Sequence, residues 1–181
     1  MGNPTLRDMY YVGWIYPPQT HHQKKNMSNY KRIFIDGYSY FITIVTHQRN
    51  PILIKNIALL RESFYLSKQK YEYKIDAIVI LPEHFHMIIT PKYAKDYPHI
   101  IRTIKQNFSK YCPLEDYAHL LQSESRERKG YSLIWQKRFY EHTIRNEKDL
   151  IEKMIYIENN PLKHGYIDDI NQWEYSSFYK K

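Results

Sequence analysis

The sequence predicts an α+β domain, an antiparallel sheet with helices packed on one face, and three observations predict it. Apolar periodicity switches between period two and period 3.6 in the order strand, helix, hairpin, helix, strand, helix. With 43% hydrophobic and 25% charged residues, the 181-residue chain carries one domain's worth of core-forming side chains. Its single cysteine, Cys112, excludes an intramolecular disulfide framework and a cysteine-rich zinc module, so packing alone must hold the core.

Residues 1–29 hold Pro4, Pro17, Pro18, the pair His21-His22 and the run Lys24-Lys25 and sustain neither period. They read as an N-terminal extension, leaving residues 30–181 as one domain. Tyr10, Tyr11, Trp14 and Tyr16 in the extension, with Lys24 and Lys25 nearby, suit stacking and phosphate contact but suit packing on the domain surface rather better, and Met27 offers a second start. A strand pattern begins at Arg32, pauses at Asp36-Gly37 and resumes from Tyr38 to Thr46, which predicts a strand with a hairpin or bulge at Gly37. Ile57, Leu60, Phe64 and Tyr65 then recur at helical spacing and mark an amphipathic helix before Lys74. Residues 75–81 and 84–90 are β-branched runs separated by Pro82-Glu83, hence a hairpin. Ile100, Ile101, Ile104, Phe108 and Tyr111 form the apolar face of a second helix, with Cys112 as a buried hydrophobe at its end. Residues 113–132 read as a long loop, and Leu133 to Trp135 with Arg138 to Tyr140 as a short strand region. Asn146 is an N-cap with Glu147 and Asp149 in the first turn, and Pro161 sets the end of that last helix. The order of elements is nearest to a ferredoxin-like topology.

Charge and aromatics narrow the partners. Lys and Arg number 27 against 19 Asp and Glu, a net +8, and 19 Tyr, 7 Phe and 3 Trp supply stacking surfaces. Counterion release and base stacking make nucleic acid the leading partner class. No apolar run approaches the roughly 18 residues of a membrane span, and the N-terminus lacks a secretory signal plan, so a cytoplasmic protein without a membrane segment is expected.

The candidate chemistry lies in two places. His84-Phe85-His86 opens the returning strand of the hairpin, and period two points both imidazoles to one face with Phe85 opposite. Such a pair suits a metal, although in a chain with 9 His it also arises by chance. On the last helix, Leu150, Ile151, Met154, Ile155 and Ile157 make an apolar stripe, with Tyr156 and Asn160 almost opposite it, one turn apart, and Lys153 beside them. Position alone makes Tyr156 a surface tyrosine.

Three segments, residues 80–89, 134–145 and 156–165, resemble the REP-associated tyrosine transposases, relatives of insertion-sequence single-tyrosine transposases within the class named for its histidine-hydrophobic-histidine (HUH) element. The resemblance extends from about Tyr30 to the tail Trp173-Glu-Tyr-Ser-Ser-Phe178. It implies that His84 and His86 hold a divalent metal, Mg²⁺ or Mn²⁺, that Asn160 supplies an amide-oxygen ligand, and that Tyr156 is the nucleophile. The implied reaction is cleavage and rejoining of single-stranded DNA through a 5′-phosphotyrosine, on hairpin-forming repeats, by a monomer or homodimer. Glu83 stands where Asn is frequent in the family and is expected to touch no ligand. Arg102, Lys105, Lys137, Arg138, Arg145 and Lys153 are candidates for holding the DNA backbone; Trp135 could stack a base, although a large aromatic in a short strand is more often core. Two rival readings stand beside this one: a DNA-binding protein of the same fold without cleavage, and a replication-initiator or relaxase nuclease of the wider class.

Overall fold

A computed structural model describes residues 32–179; the expected extension over residues 1–29, Met27 included, lies outside the described residues. The strands are β1 (Tyr40–Val45), β2 (Tyr73–Ile80), β3 (His84–Pro91) and β4 (Tyr140–Thr143). They form an antiparallel sheet in the order β2-β3-β1-β4. Helix α1 (Ile57–Lys70) links β1 to β2, and α2 (Tyr97–Tyr111) lies between β3 and β4. This is the ferredoxin-like order, with the first and third strands central.

Strand alternation divides the apolar residues between two layers. Tyr40, Ile42, Ile44, Phe85, Met87 and Ile89 project to one face and meet Leu60, Phe64, Ile100, Ile101, Ile104 and Phe108 of α1 and α2. Phe41, Ala77, Val79 and Ile88 project to the other, where Ile157, Leu150 and Met154 of α4 (Glu147–Glu158) cover them. The two crossover helices therefore share one face as expected, and the last helix takes the opposite face, the one His84 and His86 occupy. Trp135 is fully buried and its indole Nε1 donates to Lys105 O at 3.1 Å, so it is a core residue rather than a base-stacking platform.

Several elements differ from the periodic reading. Ile33, Phe34 and Ile35 form no strand: β1 already has β3 and β4 on its two sides, and these side chains are exposed. Gly37 adopts φ +83° in the turn that follows, a conformation open to glycine at little cost. The predicted strand at 133–140 is broken. Residues 134–136 pair with the end of β1 through Thr46 and Val45, residues 137–139 leave the ladder, and pairing resumes at Tyr140. The long loop contains a one-turn helix, α3 (Glu124–Arg128). At the far edge, the C-terminal segment closes β2: Ile80 N donates to Tyr175 O at 2.9 Å and Ser177 N to Ile78 O at 2.9 Å, which blunts an edge otherwise open to pairing.

Candidate active site

The histidines sit where the register puts them. On β3, His86 lies opposite Thr43 of β1 and Val79 of β2, and both histidines are 4% exposed. Their rings stand 4.9 Å apart and nearly perpendicular. Each ring is fixed through Nδ1: His86 by Thr43 Oγ1 at 2.8 Å, His84 by the Glu83 carboxylate at 2.9 Å. Glu83 therefore touches a candidate ligand directly, contrary to the expectation from sequence. When Nδ1 donates to these partners, each Nε2 presents a lone pair. His86 Nε2 is buried with no hydrogen-bond partner.

Burial, reinforced by the charge of His84, pushes His86 down to about 2, so it is neutral in the folded protein. An unfolded histidine titrates near 6.5, so protons favour the unfolded chain below that pH; the stability is intact above pH 6.5 and is lost progressively toward pH 2. At a pH of about 4.5 the loss from this one residue is about 3 kcal/mol. We expect the Tm of the metal-free protein to fall more steeply between about pH 6.5 and 4.5 than that of His86→Gln. Parallel curves would mean that His86 accepts a proton in place.

The nucleophile candidate comes from α4. Asn146 caps the helix by accepting from Asp149 N at 2.9 Å, and the Asp149 carboxylate in turn binds His142 Nε2 and Arg145 N, which pins the helix start to the end of β4. The face turned to the sheet keeps only part of the stripe counted from apolarity, namely Leu150, Met154 and Ile157. Ile151 and Ile155 are 48% and 36% exposed, whereas Tyr156 packs against the sheet and Asn160 is buried. The buried face is rotated toward Tyr156 and Asn160, so Tyr156 is half-buried rather than on the open surface. Its ring packs edge-on against His86 at 5.0 Å and against Phe41 at 5.7 Å, with Lys163 Nζ 5.5 Å from its centre.

Past Asn159 the chain turns once more as α5 (Asn160–Lys163), with Pro161 in its first turn. Tyr156, Asn160 and His164 thus fall one turn apart in a row. The outer two meet the histidine pair, Tyr156 at His86 and His164 at His84, ring to ring at 5.2 Å. Between them the Asn160 amide is buried with neither Oδ1 nor Nδ2 partnered. Two buried, unpartnered acceptors, His86 Nε2 and Asn160 Oδ1, together with His84, fit a divalent cation. Among the described residues no group of three histidine, cysteine or carboxylate side chains is arranged to hold a metal, so such a set depends on the amide.

The basic candidates separate. Lys153 lies by the site, its Nζ 5.6 Å from the Phe41 ring that also stacks on His86. Arg102 and Lys105 are on α2, across the sheet, and Lys105 Nζ is held by Gln136 O at 2.7 Å. Lys137, Arg138 and Arg145 are exposed on the flanks of β4, with Lys137 Nζ 4.5 Å from the centre of the Tyr131 ring. The structure adds Thr43, Glu83 and His164; Glu83 stood out in the sequence only as a departure from the family, and His164 through its place in the segment 156–165.

A paired-histidine strand facing a tyrosine-bearing helix on a ferredoxin-like sheet is the arrangement of a single-tyrosine transposase. The family described as "Transposase IS200 like" matches residues 34–160, and the chain belongs to it. It is 34% identical over 156 residues to the REP-associated tyrosine transposase of Escherichia coli (strain K12), covering 85% of this chain and 84% of that one. A Haemophilus influenzae protein ascribed to the same group is 36% identical over 156 residues, 85% of this chain and 87% of its own length. The solved structure of a REP-associated tyrosine transposase bound to a REP hairpin matches with a TM-score of 0.68 at 33% identity, over 84% of this chain and 83% of that one. Transposases of this type generally use a divalent metal.

Proposed function

We propose that the chain cleaves and rejoins single-stranded DNA at hairpin-forming repeats, with Tyr156 as nucleophile and His84, His86 and Asn160 as the holders of a Mg²⁺ or Mn²⁺ ion. One observation carries the reading: the Tyr156 ring packs at 5.0 Å on the histidine whose Nε2 is buried and unpartnered. The Tyr156 oxygen attacks a phosphodiester phosphorus, a tyrosine–phosphate ester forms on the 5′ side, and the 3′ oxygen leaves with a proton. One ester replaces another, so no nucleotide hydrolysis is needed and the returning 3′-hydroxyl can reverse the step. The cation supplies charge neutralisation at the phosphoryl oxygen. Around it, Thr43 and Glu83 orient the imidazoles, Phe41 holds the Tyr156 ring edge-on, and Lys163 and Lys153 offer positive charge to the phosphates of the strand. The hairpin preference rests on the likeness to the transposase solved with a REP hairpin.

The test is incubation with single-stranded hairpin DNA and Mn²⁺ or Mg²⁺, followed by denaturing electrophoresis for a covalent adduct. The expected result is an adduct with the hairpin strand, none with fully paired duplex, and none in chelator. Equal cleavage of duplex would defeat the substrate assignment. Since the site lies between Thr43 and His164, a chain beginning at Met27 is expected to form the same adduct, losing stability or affinity before chemistry; a folded truncate that binds but does not cleave would place part of residues 1–26 in the site.

A further inference from the structure

The turn leaving β1 is strained, and the strain places a cation at the rim of the site. Gln48 (φ +53°, ψ +23°) and Arg49 (φ +53°) are consecutive side-chain-bearing residues in the left-handed region. That conformation is unfavourable for each of them and persists only where the surroundings dictate it. Here they do. Thr46 Oγ1 donates toward both Asn50 O at 2.8 Å and Glu83 O at 2.9 Å, His47 N is held by Ile134 O at 2.8 Å, and Gln48 Nε2 donates to Leu121 O at 2.9 Å.

The result of this anchoring is the placement of Arg49. Its guanidinium stands 3.5 Å from Glu83 Oε1, the oxygen bonded to His84 Nδ1. Yet the Arg49 side chain is 63% exposed, and one contact at 3.5 Å engages few of its N–H donors. Exposed ion pairs contribute little, so the pairing with Glu83 does not account for a turn held against its own preference. What remains is a guanidinium fork open to solvent beside the histidine pair, the geometry that binds a phosphate through two N–H donors.

We propose that Arg49 grips a phosphate of the bound single strand next to the phosphodiester that Tyr156 attacks. This rests on the reading of the site as a DNA-cleaving one, and the experiment separates the two. Single-stranded hairpin DNA carrying one uncharged methylphosphonate at a time is titrated against the 181-residue chain in chelator, so that binding is scored without cleavage. For the natural chain, the substitution at one position adjoining the cleaved bond should weaken binding about tenfold, as expected for loss of one charge-assisted contact. Arg49→Gln should bind unmodified DNA about tenfold more weakly and respond to that same position by less than about twofold, because the contact is already gone. Arg49→Lys, which keeps the charge and a partner for Glu83, should recover only part of the affinity because an ammonium is not a fork. The proposal is overturned if Arg49→Gln binds as tightly as the natural chain or keeps the same penalty at every methylphosphonate position, or if Arg49→Lys equals the natural chain. Absence of adduct with the natural chain and Mn²⁺ would strike the cleavage reading instead and leave the binding series standing.

Discussion

Tyr156→Phe will abolish the covalent protein–DNA adduct, a loss on the order of 10³-fold or more, because no other atom of the side chain can form the ester. Affinity for the hairpin strand should stay within about twofold, and stability within about 1 kcal/mol, since the ring keeps its edge-on contacts with His86 and Phe41 and only the hydroxyl is lost. The measurement is single-turnover adduct formation alongside Kd for the same oligonucleotide. Two tyrosines near the site make useful controls. Tyr140 lies 6.3 Å from the Phe41 ring and is exposed, and Tyr166 donates to Glu83 Oε2 at 3.4 Å. Phe at either position should leave the adduct in place. An adduct that survives Tyr156→Phe and disappears with one of the others would move the nucleophile there.

The hairpin that carries the histidines was legible because it depends only on local alternation: Pro82-Glu83 breaks the run, and period two then puts His84 and His86 on one face whatever the rest of the chain does. The same holds for the cap at Asn146, whose side chain needs only the next turn of its own helix. The orientation of α4 was misread for an equally physical reason. Counting apolar residues assigns Ile151 and Ile155 to the core, yet they face outward while Tyr156 and Asn160 face the sheet. Under the proposed function, a site that uses a phenol and an amide beside two imidazoles inverts the apolar pattern at that point. Thr43, Glu83 and Arg49 are of a third kind. Thr43 meets His86 through strand register, Glu83 meets His84 through the turn, and Arg49 depends on two left-handed backbone angles. The first and last are not properties of neighbouring letters, and although Glu83 and His84 are adjacent, it is the backbone of the turn that brings the carboxylate onto Nδ1. Trp135 follows the commoner fate of a large aromatic in a short strand: it lies in the core, its indole satisfying Lys105 O, an acceptor 30 positions away.

The second large effect is expected at His86. His86→Ala removes the imidazole of the β3 pair whose Nε2 is both buried and unpartnered, so the cation would lose a donor, and adduct formation should fall to the level seen in chelator. Mn²⁺ should restore part of the activity where Mg²⁺ does not, because Mn²⁺ accepts nitrogen donors more readily and tolerates an incomplete set better. Cation affinity, read by calorimetry or by the Mn²⁺ electron paramagnetic resonance signal, separates loss of the metal from loss of the fold. Thr43→Val supplies the graded case. It keeps the imidazole and removes the hydroxyl that fixes Nδ1, so cation affinity should drop about 10–100-fold, the usual cost of losing an outer partner of a metal-binding histidine. His86→Ala is then the more severe of the two, and Thr43→Val the one that Mn²⁺ compensates more fully. If His86→Ala binds the cation as the natural chain does, the metal is held elsewhere, and the buried lone pair of His86 serves the Tyr156 proton instead.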